Sequence, residues 1–406
     1  MEKLKLLLAA NLVSTVGIGI SSYLIIFLLI DQLNQAVIYG YLSIFIMLFI
    51  VLITPYIGIL VDGYSRKKIF FYLEVTGVIV LIVFMIFYSL DLLFLKILLL
   101  SVLIIYLNLY DSIKYPTLAA LSQEIFKESE YNKVNSSLEV QGQTALMISS
   151  ALAALIIGSV SFNLVLIINI ITFIISAFLI SFIPYQEKEN VETAILDRKR
   201  QEKPIKEFVL GIKYLSTKPF FLTLVLFVSI SPNIAVIVMN YLEPIFIYQF
   251  LNKGPEVLGI ANILYAVGAI LGGILSMWVT KKLSTVKALF LFLFLFSLGS
   301  IVIYIYPNVT IFFIASILWG VSNSSSRIFR KDYMFKNIEN EYMGRITVTF
   351  DSIKLLLQAL TIFIITTFFV SQNKVIYGYL TLALLTLVSS LLLLLFTYKS
   401  RSNNKG

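Results

Sequence analysis

The stretch GILVDGYSRKK, residues 58–68, stands between two long apolar runs, residues 36–60 and 69–90. Each run exceeds the roughly 20 residues that an α-helix needs to cross the hydrocarbon core of a bilayer. The stretch between them is short and carries four charges. This pattern predicts two membrane-spanning helices joined by a charged loop at the membrane surface.

The residues of this loop have distinct chemical roles. Gly58 lets its helix approach a neighbouring helix closely, and Asp62 at the helix end can accept hydrogen bonds from another helix's N-terminus. Arg66 and Lys67 can pair with carboxylates, and with Lys68 they hold the loop at the lipid headgroups. We interpret these five residues as a candidate conformational-switch loop.

Outward from the loop, apolar runs of membrane-spanning length recur along the chain and predict an all-α membrane protein with twelve transmembrane helices. The runs are residues 6–30, 36–60, 69–90, 93–113, 136–158, 162–183, 219–242, 256–279, 287–306, 309–327, 346–371 and 374–397.

The composition supports a bilayer as the solvent of this chain. Hydrophobic residues make up 59% of the 406 positions and charged residues only 13%, about half the share in a soluble domain. Cys and His are absent, which excludes disulfides, thiolate nucleophiles and Cys/His metal sites. We therefore expect no metal or other cofactor, and any proton chemistry must fall to Asp, Glu, Lys or Tyr.

Basic residues alternate between the two sides of the predicted spans. With a cytoplasmic N-terminus, 27 Lys and Arg fall in inside segments, Lys114 among them, and only Lys96, Lys253 and Lys374 fall outside. This bias predicts a multi-pass membrane protein with both termini in the cytoplasm. It also explains the net charge of +9 without a nucleic-acid partner. The abundance of Ile, Leu, Lys, Asn and Phe indicates an AT-rich bacterial genome, and hence a bacterial cell membrane.

The spans divide into two groups of six. Residues 1–184 are predicted to form an N-terminal bundle, residues 185–206 a cytoplasmic linker, and residues 207–406 a C-terminal bundle. The polar linker reads as a solvated connection, with a regulatory element as the alternative. Residues 206–217 predict an amphipathic helix in the membrane interface. A Glu-Tyr pair precedes both the fifth and the eleventh span, as expected for a duplicated unit.

The loop at residues 58–68 resembles the signature loop of the major facilitator superfamily. Residues 115–121, 131–136 and 342–346 are similar to the corresponding segments of macrolide-efflux-type pumps. The resemblance implies two pseudo-symmetric six-helix bundles and proton-coupled efflux by alternating access. Two features depart from the drug:proton antiporter pattern: the fourth span has no Arg, and the fifth has no Gly-Pro pair.

Charged residues inside membrane spans are costly and mark functional sites by default. Asp351 and Lys354 lie three apart on one face of the eleventh span, either as a structural ion pair or as a coupling or substrate site. Glu139 and Gln143 in the fifth span either line a cavity or, for Glu139, stay near the headgroups.

Two further acids lie near the inner membrane surface by this topology. Asp111 is predicted to pair with Arg66 or Lys114 and to latch one conformation. Glu74, six residues beyond Lys68, is expected to lie in the interface.

Asp31 and Glu243 end the first and seventh spans on the outer side. They are either solvated helix ends or outer-gate and proton-uptake groups. Uncharged polar residues of the first, fourth, seventh and tenth spans either line a central cavity or make interhelical hydrogen bonds. They are Asn11, Ser14, Asn108, Ser229, Asn233, Asn240, Ser322 and Asn323. Gly17, Gly19, Pro232 and Gly320 are positions where these helices could bend.

The leading hypothesis is a monomeric secondary transporter that exports amphipathic small molecules in exchange for protons, with a mostly aliphatic and aromatic cavity. The alternative is an exporter of one endogenous metabolite such as a siderophore, lipid or peptide. An intramembrane enzyme would need a convergent catalytic group, and no His, Cys or metal cluster supplies one.

Overall fold

A computed structural model describes residues 2–90, 92–127, 130–157, 160–185 and 204–403. The side chains of Asp62, Glu139 and Arg345 are among those that lie outside this description, as does most of the predicted linker, whose bounds stay a prediction. Fourteen α-helices are described. They are α1 Glu2–Phe27, α2 Ala36–Gly63, α3 Arg66–Tyr88, α4 Leu93–Ile125, α5 Tyr131–Ile156, α6 Phe162–Ser181, α7 Pro204–Ser216, α8 Phe220–Val228, α9 Ser231–Ile245, α10 Pro255–Val279, α11 Thr285–Ile305, α12 Val309–Asn337, α13 Asn340–Phe368 and α14 Ile376–Asn403.

Eleven helical segments in the described part of the chain are long and apolar enough to cross a membrane. The fifth predicted span corresponds to α5, whose apolar portion, Val140–Ile156, is shorter. Two helices extend well beyond their predicted spans: α4 continues to Ile125 and α12 to Asn337. The predicted spans end where the apolar runs give way to charged residues. The backbone hydrogen bonds of both helices continue through those charged residues, so both helices are longer than predicted.

The chain divides into two compact units. One comprises Met1–Gln201 with Gly254–Gly259, and the other comprises Glu202–Lys253 with Ile260–Gly406. In the first unit α1 packs against α5 and α6, α3 packs against α4 and α6, and α2 packs against α4. In the second unit α11 packs against α12 and α14, and α9 against α13.

The first and seventh spans end in the same way. Both continue into a π-helical turn, Leu28–Gln32 after α1 and Phe246–Phe250 after α9. In both, the second residue after the turn is an asparagine with positive φ, Asn34 at 55° and Asn252 at 50°. Asn tolerates this left-handed conformation better than most residues. The repeated ending supports a duplicated six-helix unit.

The seventh span is interrupted between α8 and α9. Pro232 stands at the start of α9, where it has no N–H to give and its ring would clash with the carbonyl of Val228 in a continuous helix. Ser231 Oγ donates to that Val228 carbonyl at 2.9 Å, and Arg330 Nη1 donates to the Ser229 carbonyl at 3.4 Å. Side chains thus satisfy carbonyls that the break has freed, and the expected bend at Pro232 is a break.

The glycines of the first and tenth spans serve close packing. The helices α1 and α12 run without interruption through Gly17 and Gly320, so the expected bends are absent. A Cβ on Gly17 would collide with the Thr172 side chain of α6. A Cβ on Gly320 would collide with the Tyr265 carbonyl of α10, so α10 and α12 approach backbone to backbone at this point.

Helix α7 is the amphipathic segment expected at residues 206–217. It packs against α13. Four residues in contact where the two helices meet form what we call the anchor: Tyr214, Lys218, Glu339 and Tyr342. The rings of Tyr214 and Tyr342 stack at 4.2 Å between centroids, Lys218 Nζ lies 4.6 Å from the Tyr214 centroid, and the same Nζ donates to Glu339 Oε1 at 2.8 Å.

The Lys218–Glu339 pair stabilises this anchor with a defined pH dependence. The hydrogen bond from Lys218 lowers the pKa of Glu339, and the hydrogen bond to Glu339 raises the pKa of Lys218. Both shifts favour the charged pair. Its contribution is therefore constant near neutral pH, is lost as pH falls through the lowered pKa of Glu339, and is lost as pH rises through the raised pKa of Lys218.

Glu339→Gln is expected to accelerate hydrogen exchange of the α7 backbone amides at pH 7 by about two- to fivefold, since exposed pairs contribute little. Exchange measured by mass spectrometry on the detergent-solubilised protein checks this. Lys336→Gln, which breaks an exposed pair with Asp332 inside α12, is the matched control. Equal protection of α7 in Glu339→Gln and the unaltered protein would contradict the anchor.

Candidate functional site

A cavity of about 640 Å³ opens within the first unit. Helices α1, α4 and α5 contribute its walls. Its polar lining comprises Asn11, Thr15, Ser22, Asp111, Tyr115, Gln143 and Ser149, and its apolar lining includes Ile18, Leu118, Leu138 and Leu146. The volume suits a drug-sized molecule. The lining is more polar than the mostly aliphatic and aromatic cavity that the composition predicts.

Lys114 lies beside this cavity and is completely buried, with 1% of its surface exposed. The sequence places it in a cytoplasmic loop, which is wrong because α4 continues eleven residues past it. Its Nζ donates to Ser14 Oγ and to Thr15 Oγ1, each at 2.8 Å. Thr15 also lines the cavity, so the hydroxyl that accepts from the buried ammonium group belongs to the cavity wall.

Glu74 is the acid that interacts most strongly with the Lys114 charge, followed by Asp111. Glu74 is fully buried in α3, so the expected interfacial position is wrong. Its Oε1 accepts a hydrogen bond from Ser176 Oγ at 2.7 Å, while Oε2 has no hydrogen-bond partner in the described part of the chain. Glu74 and Lys114 attract one another across the interior, and no direct ion pair between them is found among the described residues. A buried acid and a buried base thus stand inside one helical bundle.

Asp111 lies one helical turn before Lys114 and lines the cavity. Its expected pairing with Arg66 is wrong, because Arg66 Nη1 pairs with Glu124 Oε1 at 2.9 Å. No ion pair of Asp111 with Lys114 forms among the described residues either. The carboxylate is therefore available to a molecule in the cavity.

The signature loop is tied to α4 and α6. Glu124 accepts from Arg66 and, through Oε2, from the Tyr185 hydroxyl at 2.7 Å. Lys67 Nζ donates to the carbonyls of Ser181 and Ile183, at 2.8 Å each, where a positive charge suits the C-terminal end of α6. Lys68 is exposed.

The remaining loop and cavity candidates of the first unit are only partly brought together. Gly58 is half-buried in α2. Asn11 donates to Gln141 Oε1 and lines the cavity with Gln143. Asn108 instead donates to the Ile104 carbonyl of its own helix at 2.8 Å. The predictions for the Asp62 and Glu139 side chains lie outside the described residues.

The candidates of the second unit are dispersed. Lys354 Nζ contacts Asp351 Oδ1 at 2.6 Å, with 24% and 61% of the two side chains exposed. Asn323 Nδ2 donates to the Tyr265 hydroxyl at 2.7 Å. The Asn233 carbonyl accepts from Gln358, and Asn240 is exposed on α9.

The two outer acids differ from each other. Asp31 is exposed in the π-helical turn that ends the first span. Glu243 is 92% buried, because the seventh span continues to Phe250, so a solvated helix end is the wrong description. Within the described residues Glu243 forms no hydrogen bond or ion pair, which leaves it a buried acid of the second unit.

The model of the Major Facilitator Superfamily matches residues 7–361. The chain belongs to the Major Facilitator Superfamily. It is therefore a membrane transporter with the superfamily's all-helical fold, as the signature loop and the helix count predict. No curated protein sequence matches the chain significantly.

Solved structures agree on the fold of this superfamily member. A bacterial homologue of the iron transporter ferroportin, in an inward-facing state, is similar with a TM-score of 0.70 and 13% identity over 96% of this chain and 98% of that one. The peptide transporter POT has a TM-score of 0.68 and 13% identity, over 98% and 94%. A D-xylose-proton symporter has a TM-score of 0.68 and 10% identity, over 96% of each chain.

The spacing of residues around Lys114 indicates that it lies within a helix, although its charge suggests a loop. Lys114 follows the fourth apolar run directly, and residues on one helix face recur every three or four positions. Tyr110, Lys114, Thr117 and Leu121 follow this spacing and are all buried. Reading the periodicity past the end of the apolar run would have placed Lys114 inside α4.

Proposed function

We propose that this transporter exports amphipathic small molecules, cations among them, in exchange for protons by alternating access. The observation that carries the proposal is the cavity of the first unit, with the Asp111 carboxylate in its wall and the Glu74–Lys114 pair behind it.

The cavity suits the substrate class. Its volume of about 640 Å³ accommodates a drug-sized molecule, and its apolar side chains would cover the hydrophobic part. Asp111, without an ion-pair partner among the described residues, would neutralise a cationic group. Charge-assisted hydrogen bonds of this kind are roughly twice as strong as hydrogen bonds between neutral groups.

The Glu74–Lys114 pair supplies a means of proton coupling. Protonation of Glu74 would remove the negative charge that compensates Lys114 in a water-poor interior, where such charges interact strongly. Lys114 is held by Ser14 and by Thr15 of the cavity wall. A change in the charge of Glu74 would thus act on Lys114, and through it on the Thr15 hydroxyl in the cavity wall.

Transport in proteoliposomes with an imposed pH gradient tests the proposal, with ethidium as the probe. Glu74→Gln is expected to abolish gradient-driven flux while ethidium binding persists. Asp111→Asn is expected to weaken ethidium binding about tenfold or more, the effect of one charged hydrogen bond. Glu256→Gln, at an exposed position, is the matched control for both.

Gradient-independent flux in the unaltered protein, or full gradient-driven flux in Glu74→Gln, would refute proton coupling by this pair. Equal ethidium affinity in Asp111→Asn would refute the role of the cavity carboxylate. The superfamily membership would stand in either case.

One observation favours the export of a single endogenous metabolite as a second candidate. Asn11, Thr15, Ser22 and Gln143 place hydrogen-bonding groups around the cavity, and such groups discriminate strongly between related molecules. Metabolite profiling of a deletion strain separates the two functions. Accumulation of one compound, with unchanged ethidium retention, would favour the metabolite.

A further inference from the structure

The second unit contains a smaller cavity of a different electrostatic character. It has a volume of about 270 Å³ and lies among α8, α12 and α13, next to the break in the seventh span. Leu226, Ile230, Met334 and Phe350 form its apolar wall. This cavity is distinct from the one in the first unit and takes no part in the function proposed above.

The charged lining of this cavity is mainly basic. Arg330, Lys331 and Lys354 contribute three positive charges, against one negative charge from Asp351. Lys354 neutralises Asp351 at 2.6 Å. In the described part of the chain Arg330 and Lys331 form no direct ion pair. Asp351 also attracts the Arg330 guanidinium, and the lining keeps two more positive than negative charges.

Arg330 is partly buried and is held in place by a hydrogen bond. Its Nη1 donates this bond to the Ser229 carbonyl at the helix break. A guanidinium group carries five donors, so four remain for other partners. Cationic groups inside membrane helices are expected to have a counter-charge.

We propose that this cavity binds the carboxylate or phosphate group of an amphipathic anion between Arg330 and Lys331, with the apolar part of the molecule against Leu226, Ile230, Met334 and Phe350. The flexible methionine side chain adapts to apolar groups of varied shape. The same chemistry occurs in an anionic lipid headgroup and in a soluble amphipathic anion.

Calorimetric titration of the full-length protein with decyl phosphate, in phosphatidylcholine nanodiscs, tests the site without measuring flux. Lys331→Gln and the double variant Arg330→Gln/Lys331→Gln are expected to bind about tenfold to a hundredfold more weakly than the unaltered protein. Lys281→Gln/Lys282→Gln removes an equally adjacent basic pair at an exposed position and is expected to leave binding unchanged. Lys331 is exposed, so its variant is expected to fold even if the loss of Arg330 destabilises the helix break.

Nanodiscs that contain phosphatidylglycerol distinguish the two sources of the anion. A tenfold weaker apparent affinity for decyl phosphate there supports the lipid headgroup, and an unchanged affinity supports a soluble anion. The inference is overturned if decyltrimethylammonium binds as tightly as decyl phosphate, or if the two cavity variants bind decyl phosphate like the Lys281/Lys282 control. None of these outcomes depends on proton-coupled transport.

Discussion

Lys114→Met is expected to lower the free energy of unfolding by about 3–5 kcal/mol, the usual cost of leaving one partner of a buried charge pair without the other. Methionine fills a similar volume, so the loss comes from electrostatics and from two hydroxyls, Ser14 and Thr15, that lose their donor. Glu74, fully buried and with one oxygen unpartnered, would then have no opposing charge.

Removal of the acid, in Glu74→Gln, is expected to lower the free energy of unfolding less than Lys114→Met does. In Glu74→Gln the amide oxygen can still accept the hydrogen bond from Ser176, and Lys114 keeps its two hydroxyl acceptors. The double variant Glu74→Gln/Lys114→Met is expected to recover most of the stability that Lys114→Met loses, because Glu74 then no longer carries a buried charge without its partner. The four proteins form a double-mutant cycle that measures the coupling between the two side chains.

Denaturation of the purified protein in mixed micelles, followed by circular dichroism, gives the four free energies. Lys133→Met, at an exposed position of α5, is the control for the loss of a lysine. Additive effects in the cycle would show that Glu74 and Lys114 act independently and would remove the basis for a coupled pair.

Gly272→Ala is expected to destabilise the second unit by about 1–3 kcal/mol, the range seen when a methyl group is forced into a packed interior. Its added Cβ would lie 2.5 Å from the Val321 carbonyl oxygen and 2.9 Å from the Val321 Cα on α12. Both atoms belong to the backbone and cannot move aside without shifting the helix. Ser325 Oγ also donates to the Gly272 carbonyl at 3.0 Å, a bond that such a shift would stretch.

The adjacent residue provides a matched control. A Cβ on Gly273 would meet nothing within 4 Å, and alanine favours a helix over glycine by about 1 kcal/mol. Gly273→Ala is therefore expected to be neutral or stabilising. Denaturation of the two variants under one condition checks the contrast, and similar losses in both would show that α10 and α12 do not pack as described.

The signature loop shows how far sequence reasoning reaches and where it ends. The spacing of residues 58–68 led to the superfamily, which the match over residues 7–361 confirms. The partners of the loop could not be predicted, because Glu124 follows Arg66 by 58 positions in the chain. Only the packing of α3 against α4 brings the two side chains to 2.9 Å.

Glu243 gives a second example. The sequence predicts that this residue, just before Pro244, ends the seventh span on the outer side. The helix instead continues through a π-helical turn to Phe250, and the carboxyl group is buried. A residue's distance from the membrane surface depends on where its helix ends, which local sequence predicts poorly.

The sequence alone establishes a helical membrane protein, because apolar runs of about 20 residues that recur along the chain have the length and composition of membrane-spanning helices. Its signature loop indicates the transporter superfamily, which the family match confirms. The sequence also predicts a duplicated order of the helices and a charged loop between the second and third spans. Which polar groups lie close together depends on the tertiary structure. Residues of more than one helix come together in the first cavity, in the buried Glu74–Lys114 pair and in the basic cavity at Arg330. Where each helix ends, and so which residues lie in the interior, depends on packing between helices that are distant in the chain.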